Sequence, residues 1–246
     1  MLDPDLLILA AIVLGAHLIG GATGFGSAVL SLTLAVHFFP IDFLVPMLIP
    51  LNLVLYGYLA LRHRAEVERS LLLKRILPLC GLGMPLGWLV FQLGDSQQLK
   101  FAFGLFVLAL ALFEIARTLR RSAPADRTSA PGGPLWLLGG GVVMGLWVSG
   151  GPLIVYWTSY ALRDKGRFRA TLSALWLLLN LALLVAHLAS GRLDLEVART
   201  SALLLPALAV GAAIGEALHG RLGERGFRML VYLVLAAAGG SIVVLG

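Results

Sequence analysis

Two short clusters in this chain have residue types and spacing suited to chemistry: Thr23, Gly24, Phe25, Gly26 and Ser27, and, far downstream, Ser149, Gly150, Gly151, Pro152 and Leu153. Each interrupts an otherwise apolar stretch, and five glycines fall between Gly15 and Gly26. Glycine weakens a helix because its backbone loses the most freedom on folding. A helix that restarts after a break exposes N–H groups with no intrahelical acceptor, and its dipole places partial positive charge on them. Such ends bind anions. The spacing predicts new helix starts near Gly24 to Ser27 and near Gly151, with Pro152 in a first turn that needs no N–H. Thr23, Ser27 and Ser149 add hydroxyl donors. Asn52 and Asn180 place amides within apolar stretches, either as glue between helices or as ligand contacts, because a polar group left unpaired there is costly. The chemistry on offer is reversible capture of an anion by neutral donors.

Other patterns carry less. Glu216 and His219 form one ExxH spacing at a helix end, open to a proton relay or a metal, but the chain holds no second copy of it. His17, His37 and His187 lie far apart and share no catalytic spacing. There is no Walker loop, HExxH or zinc-type Cys/His cluster. ATP-driven and metalloenzyme classes therefore have no support, and no catalytic residue, cofactor or metal is expected. Cys80 is the single cysteine, which excludes an internal disulfide and reads as packing. Glu114, three residues before Arg117, predicts a local ion pair. Tyr56, Tyr156, Trp157 and Trp176 read first as core or interfacial packing and second as site lining. Gly15, Gly83, Gly87, Gly139, Gly140, Gly141, Gly211 and Gly215 read as small surfaces for close helix packing.

The elements that must position these clusters are membrane helices. Of 246 residues, 59% are apolar and 13% charged, against about 25% charged in soluble domains, and the mean hydropathy is +0.92. Apolar blocks cover about 6–38, 43–61, 76–93, 99–116, 135–162, 170–189, 200–218 and 229–245, each near the length of a membrane span. The start, MLDPDLL, lacks a basic n-region and a cleavage site, so the first block is expected in the mature protein. The net charge of +6 reports topology rather than nucleic-acid binding. If every block crosses once, Lys and Arg divide 11 to 8 between the two sides. If blocks 6–38 and 135–162 each return to the side they left, the division becomes 16 to 3. The positive-inside rule selects the second arrangement. It places the basic loops 62–75, 117–133, 163–169 and 219–228 in the cytoplasm of a bacterial cell whose inner membrane the chain spans. On that assignment no Lys or Arg lies in the membrane interior. The glycines cut block 6–38 into arms of about 16 residues, and block 135–162 into arms of about 14 and 10; both fall short of a hydrocarbon core about 30 Å thick. They are either re-entrant half-helices or short tilted spans.

A shift of 128 residues superposes Asn52 on Asn180, Pro78 on Pro206, Gly83 on Gly211, Gly87 on Gly215 and Lys100 on Arg228, and a shift of 125 places Gly20 on Gly145 and Gly26 on Gly151. Such self-similarity marks a duplication. The fold class expected is an all-α polytopic membrane protein of two inverted-topology repeats, each a broken helix hairpin followed by three transmembrane helices. Residues 1–121 form the first repeat, 122–133 a cytoplasmic linker rich in Pro, Ala, Ser and Gly, and 134–246 the second repeat. Broken helices at matching positions of inverted repeats point to a midplane binding site.

The segment HLIGGATGFGSAVLSLTLAVHFFPIDFLVPMLIPLNL, echoed loosely by GGGVVMGLWVSGGPLIVYWTSYALRDKGRFRATLSALWLLLN, resembles the sulfite exporter TauE/SafE family, also described as toluenesulfonate uptake permeases. The resemblance spans essentially the whole chain. It implies a membrane transporter of sulfite, organosulfonates or related sulfur-containing anions, with a small sulfur-containing anion and the lipid bilayer as partners, no nucleic acid, and a homodimer left open. The second break, SGGP, lacks the extra glycines of the first, so equal use of the two halves is not implied. Two rivals use other physics. A passive anion channel would employ the same residues without occlusion. An intramembrane enzyme would depend on His187 or Glu216, and lacks a convergent nucleophile and base.

Overall fold

A computed structural model describes residues 4–23, 26–119, 133–218 and 224–245. Every regular element among them is helical. In chain order these are α1 (Pro4–Thr23), α2 (Ser27–Ala35), α3 (Ile41–Arg62), α4 (Arg69–Leu93), α5 (Ser96–Leu119), α6 (Leu135–Trp147), α7 (Gly151–Ala161), α8 (Lys165–Ala189), α9 (Leu195–Leu218) and α10 (Glu224–Leu245). Among the described residues, α1, α3, α4, α5, α8 and α9 are long and apolar enough to cross a membrane, and α10 carries a further apolar run, Val231–Val244. The outward faces of these helices display leucines such as Leu82, Leu86, Leu93, Leu105, Leu112 and Leu203. In water they would form an apolar surface that soluble monomers avoid; in a bilayer they face their solvent. The protein is a multi-pass membrane protein.

Two expectations change. The first arm of block 6–38 is not a half-helix: α1 runs for 20 residues, about 30 Å, the full hydrocarbon thickness. Its glycines stay helical because their missing side chains admit neighbours. A Cβ on Gly21 would lie 2.7 Å from the Ala212 carbonyl oxygen of α9, and one on Gly20 2.7 Å from Ser27 Cβ. The second change concerns the first basic connection, where Arg69, Lys74 and Arg75 belong to α4 rather than to a loop. That helix passes through a π-turn at Leu72–Ile76 before its regular part. Helix α2 and the second broken pair are short, with 9 residues in α2, 13 in α6 and 11 in α7. They extend about 14, 20 and 16 Å. Residues 122–132 of the linker 122–133, and His219, lie outside the described residues.

The helices pair closely: α1 along α9, α4 along α6, α5 along α10, and α3 across α8, with α9 also against α3. Glycine sets two of these seams. A Cβ on Gly83, Gly87, Gly141 or Gly145 would strike backbone across the α4–α6 seam, and one on Gly211 would strike Leu14 across the α1–α9 seam. Gly15, by contrast, has open space beside it and is not a contact glycine. Helix α3 is the centre of the bundle, with 67% of its apolar window buried against 28% for α4, α5 and α9. At one end, Arg167 pairs with Glu68 at 3.3 Å, the Glu68 amide donates to Thr171 Oγ1 at 2.9 Å, and Arg62 pairs with Glu216 at 3.3 Å. These contacts gather the end of α3, the start of α8 and the end of α9. The expected local pair is present, with Arg117 Nη1 3.0 Å from Glu114.

Candidate functional site

The first break closes α1 at Thr23 and opens α2 at Ser27, with Gly26 as N-cap at φ 91°. That left-handed backbone favours glycine. In the second break α6 ends at Trp147, Val148 turns the chain at φ 55°, and α7 starts at Gly151 after the N-cap Gly150. A β-branched residue in the left-handed region is an outlier that costs about 1–3 kcal/mol and persists only where its surroundings fix it. Val148 is buried, and tight packing within the hairpin fixes it: a Cβ on Gly150 would strike the Gly140 carbonyl, and one on Gly140 would strike Ile154. No side chain caps the start of α2 or of α7. The first-turn N–H groups of both helices therefore lack the usual local acceptor.

Both starts line one cavity. Gly26, Ala28 and Val29 of the first break face Val148, Ser149, Gly150 and Gly151 of the second, and Tyr56, Met144, Trp176 and Asn180 complete the wall. None of these residues is charged. The hydroxyl of Ser149 and the indole N–H of Trp176 are buried and lack a hydrogen-bond partner. Tyr56 and Trp176 approach with ring centroids 6.3 Å apart. The space open to the centre of a water molecule is only about 20 Å³, room for one water. A four-atom oxyanion does not fit until the wall moves.

The residues singled out in the sequence divide as follows. Gly26, Ser149, Gly150, Gly151 and Asn180 share the cavity wall. Asn52 stands behind Asn180, its Nδ2 donating to Asn180 Oδ1 at 3.4 Å, while Asn180 Nδ2 donates to the Trp176 carbonyl at 2.8 Å. Ser27 stands behind Tyr56, with hydroxyl oxygens 3.5 Å apart. Pro152 and Leu153 lie in the first turn of α7 away from the wall, and Thr23 closes α1. Gly24 and Phe25 lie outside the described residues. Tyr56, Trp176, Met144 and Val148 are wall residues that composition could not distinguish from packing. Glu216, half of the ExxH spacing, accepts from Arg62 and Tyr58 instead. Among the described residues no group of three or more His, Cys, Asp or Glu could hold a metal.

Gly26 and Gly151 have nothing within 4 Å of where a Cβ would sit, and only Gly26 has a positive φ. Alanine at Gly26 should thus cost about 1–2 kcal/mol from backbone strain alone, whereas alanine at Gly151 should be neutral or slightly stabilising. Thermal unfolding of the two purified variants in one detergent checks the difference; equal midpoints would contradict the left-handed turn.

An all-helical membrane bundle with two uncapped helix starts at one buried cavity defines the class: a polytopic protein with discontinuous helices. The sequence model of the family described as Sulfite exporter TauE/SafE matches residues 7–242, and the chain belongs to that family. It is therefore a membrane transporter of the sulfite-exporter type. No curated protein and no solved structure matches the chain.

Proposed function

We propose that the protein is a secondary transporter for sulfite or a related small sulfur oxyanion or organosulfonate, working by alternating access across a bacterial inner membrane. The observation that carries this reading is the meeting of the α2 and α7 starts at one uncharged, buried cavity. Two oriented dipoles, the Ser149 hydroxyl and the Trp176 N–H supply donors without a fixed cation, a combination that binds an anion and still releases it. Membership of the sulfite-exporter family supports a sulfur-containing anion as the substrate.

Two inverted repeats, 1–121 and 134–246, account for the paired seams. The α1–α9 and α4–α6 contacts become the same contact made twice, with Gly211 and Gly83 in equivalent places. Asn52 and Asn180, one repeat period apart, then touch across the axis. The small cavity is a closed state between outward- and inward-open ones, reached by moving one hairpin layer against the other. With the basic end in the cytoplasm, export of an anion down an inside-negative potential needs no coupling ion, since that potential contributes about 2.3 kcal/mol per charge per 100 mV.

Proteoliposomes containing the protein should show saturable flux of sulfite or a sulfonate, and planar bilayers should show no resolvable unitary current. Unitary currents would establish the channel instead, and absence of flux for every sulfur anion tried would sink the reading.

A further inference from the structure

A second cavity lies between α3 and α9 and reaches the end of α1, on the side where Arg62, Arg167 and Arg169 gather. Val54, Leu55 and Leu59 of α3 and Leu208, Ala209 and Ala213 of α9 form its apolar wall. The space in it open to the centre of a water molecule is about 280 Å³, against about 20 Å³ in the central cavity, and the two walls share no residue. Val54 and Tyr58, also in the wall, are half exposed, and Ala209 and Ala213 are exposed. The cavity therefore opens through the flank of the bundle. Next to it along α9, Val210 and Ile214 turn apolar side chains outward, so the opening faces acyl chains rather than water.

Water fills such a space poorly, because each molecule needs about two to four polar partners and the wall offers them at one end only. That end carries Tyr58, Arg169 and Glu216. Arg169 Nη2 donates to the Gly21 carbonyl at 3.2 Å, which ties it to the last turn of α1. At the mouth, Arg62 pairs with Glu216 at 3.3 Å and donates to the Tyr58 hydroxyl, which itself donates to Glu216 at 3.5 Å. Arg62 makes both contacts through Nη1, and Glu216 accepts both through Oε2. Among the described residues, Arg62 Nε and Nη2 and Glu216 Oε1 make no further hydrogen bond, and the Arg62 side chain is 54% exposed. An unused cationic face thus stands beside an unused anionic one. Arg62 lies eight residues beyond Val54, and Glu216 eight beyond Leu208, so this mouth is about 12 Å along both helices from the apolar end. Tyrosine at such a mouth marks the headgroup level of a bilayer.

We propose that the cavity is a lipid site: one acyl chain of a phospholipid from the leaflet at the basic end fills it, beneath a zwitterionic head whose phosphate meets Arg62 and whose primary ammonium meets Glu216. The two unused guanidinium nitrogens offer the phosphate charge-assisted hydrogen bonds, and the ammonium donates to Glu216 Oε1. A head with phosphate and no ammonium would set its charge beside the Glu216 carboxylate with nothing to offset the repulsion. The tail supplies the dispersion contacts that an empty space denies to the leucines around it. Gly21 and Ala212, whose backbones meet at the α1–α9 seam, are both in the wall, so the tail also props the seam that leads to the first break. The site lies apart from the central cavity and stands whichever anion is carried there.

Native mass spectrometry of the full-length protein in detergent tests this, with phosphatidylethanolamine, phosphatidylglycerol of the same chains and the chain-free head glycerophosphoethanolamine as probes. Phosphatidylethanolamine should bind about two- to fivefold more tightly than phosphatidylglycerol, the scale of a partly exposed charge contact, and the chain-free head should not bind. Glu216→Gln should abolish that preference. Ala209→Phe combined with Ala213→Phe fills the cavity from two exposed positions and should weaken both lipids about tenfold or more, with an unchanged unfolding midpoint. Glu216→Gln, which leaves the packing in place, decides the matter if the phenylalanines disturb the fold. Equal affinity for the two lipids, a preference that survives Glu216→Gln, or undiminished binding in a folded phenylalanine variant overturns the proposal. So does a wild-type dimer that the phenylalanines turn into monomers, which would assign the flank to a second copy of the chain. None of these readouts involves flux, so failure here leaves the transport reading intact.

Discussion

Leucine at Gly151 should abolish transport while leaving the protein folded. A Cβ there meets nothing within 4 Å and enters a wall whose remaining space is about one water. The backbone of Gly151 is ordinary helix start, so the substitution adds volume without strain. The four side-chain carbons fill the room between the α2 and α7 starts, and an anion can reach the N–H groups there only by displacing them. An anion that must push the leucine aside loses about 1–3 kcal/mol, the scale of forced repacking, equivalent to about 5- to 150-fold in affinity. The flux assay should show that loss as a raised half-saturation or no flux at all, with the unfolding midpoint near that of the wild type. Adding a bulky residue at Gly26 should complete the block, although there the left-handed turn adds a stability cost. Undiminished flux in the double variant would remove both helix starts from the site.

The converse is expected at Gly87, where alanine should damage the fold rather than the site. A Cβ at Gly87 falls on the Val142 carbonyl, and the neighbouring seam positions Gly83, Gly141 and Gly145 are equally closed by backbone. No flexible side chain is available to give way, so α4 and α6 must separate along the seam. In a bilayer, where apolar burial does not drive helices together, such close packing is the main source of association. The loss is about 3 kcal/mol, visible as a lowered midpoint or as poor recovery of folded protein. Gly81, on the same helix with open space beside it, is the control. Alanine there should stabilise by about 0.5–1 kcal/mol through helix propensity. Matching behaviour at the two positions would contradict the α4–α6 seam.

The contrast among glycines also shows what the sequence could and could not reveal. Gly26 and Gly151 were legible as places where helices restart, because each lies in a cluster of glycine and hydroxyl residues that precedes an apolar run. Gly20 and Gly21 looked the same in composition, yet α1 continues through them, since what lies opposite, Ser27 and the Ala212 backbone, is set by tertiary packing. Membrane character and the small-residue seams followed from composition and spacing. Arg169 did not, because it sits in the basic stretch RDKGRFR and reads there as one loop charge among four. Only the register of α8 carries its side chain to the end of α1. Tyr56 and Trp176 were equally hidden, as an aromatic on a membrane helix has the same signature whether it packs or lines a cavity.

The central claim is that the two helix starts enclose one anion cavity that opens to each side of the membrane in turn. Ser149 reports on it most directly, since its hydroxyl is buried, unpartnered and on the wall. With Cys80, the single native cysteine, replaced by alanine, Ser149→Cys should be labelled by a membrane-impermeant thiol reagent applied to right-side-out vesicles and also when applied to inverted ones. Saturating sulfonate or sulfite should slow both reactions. Labelling from one side only, or labelling from both sides that the anion leaves unchanged, would contradict the account.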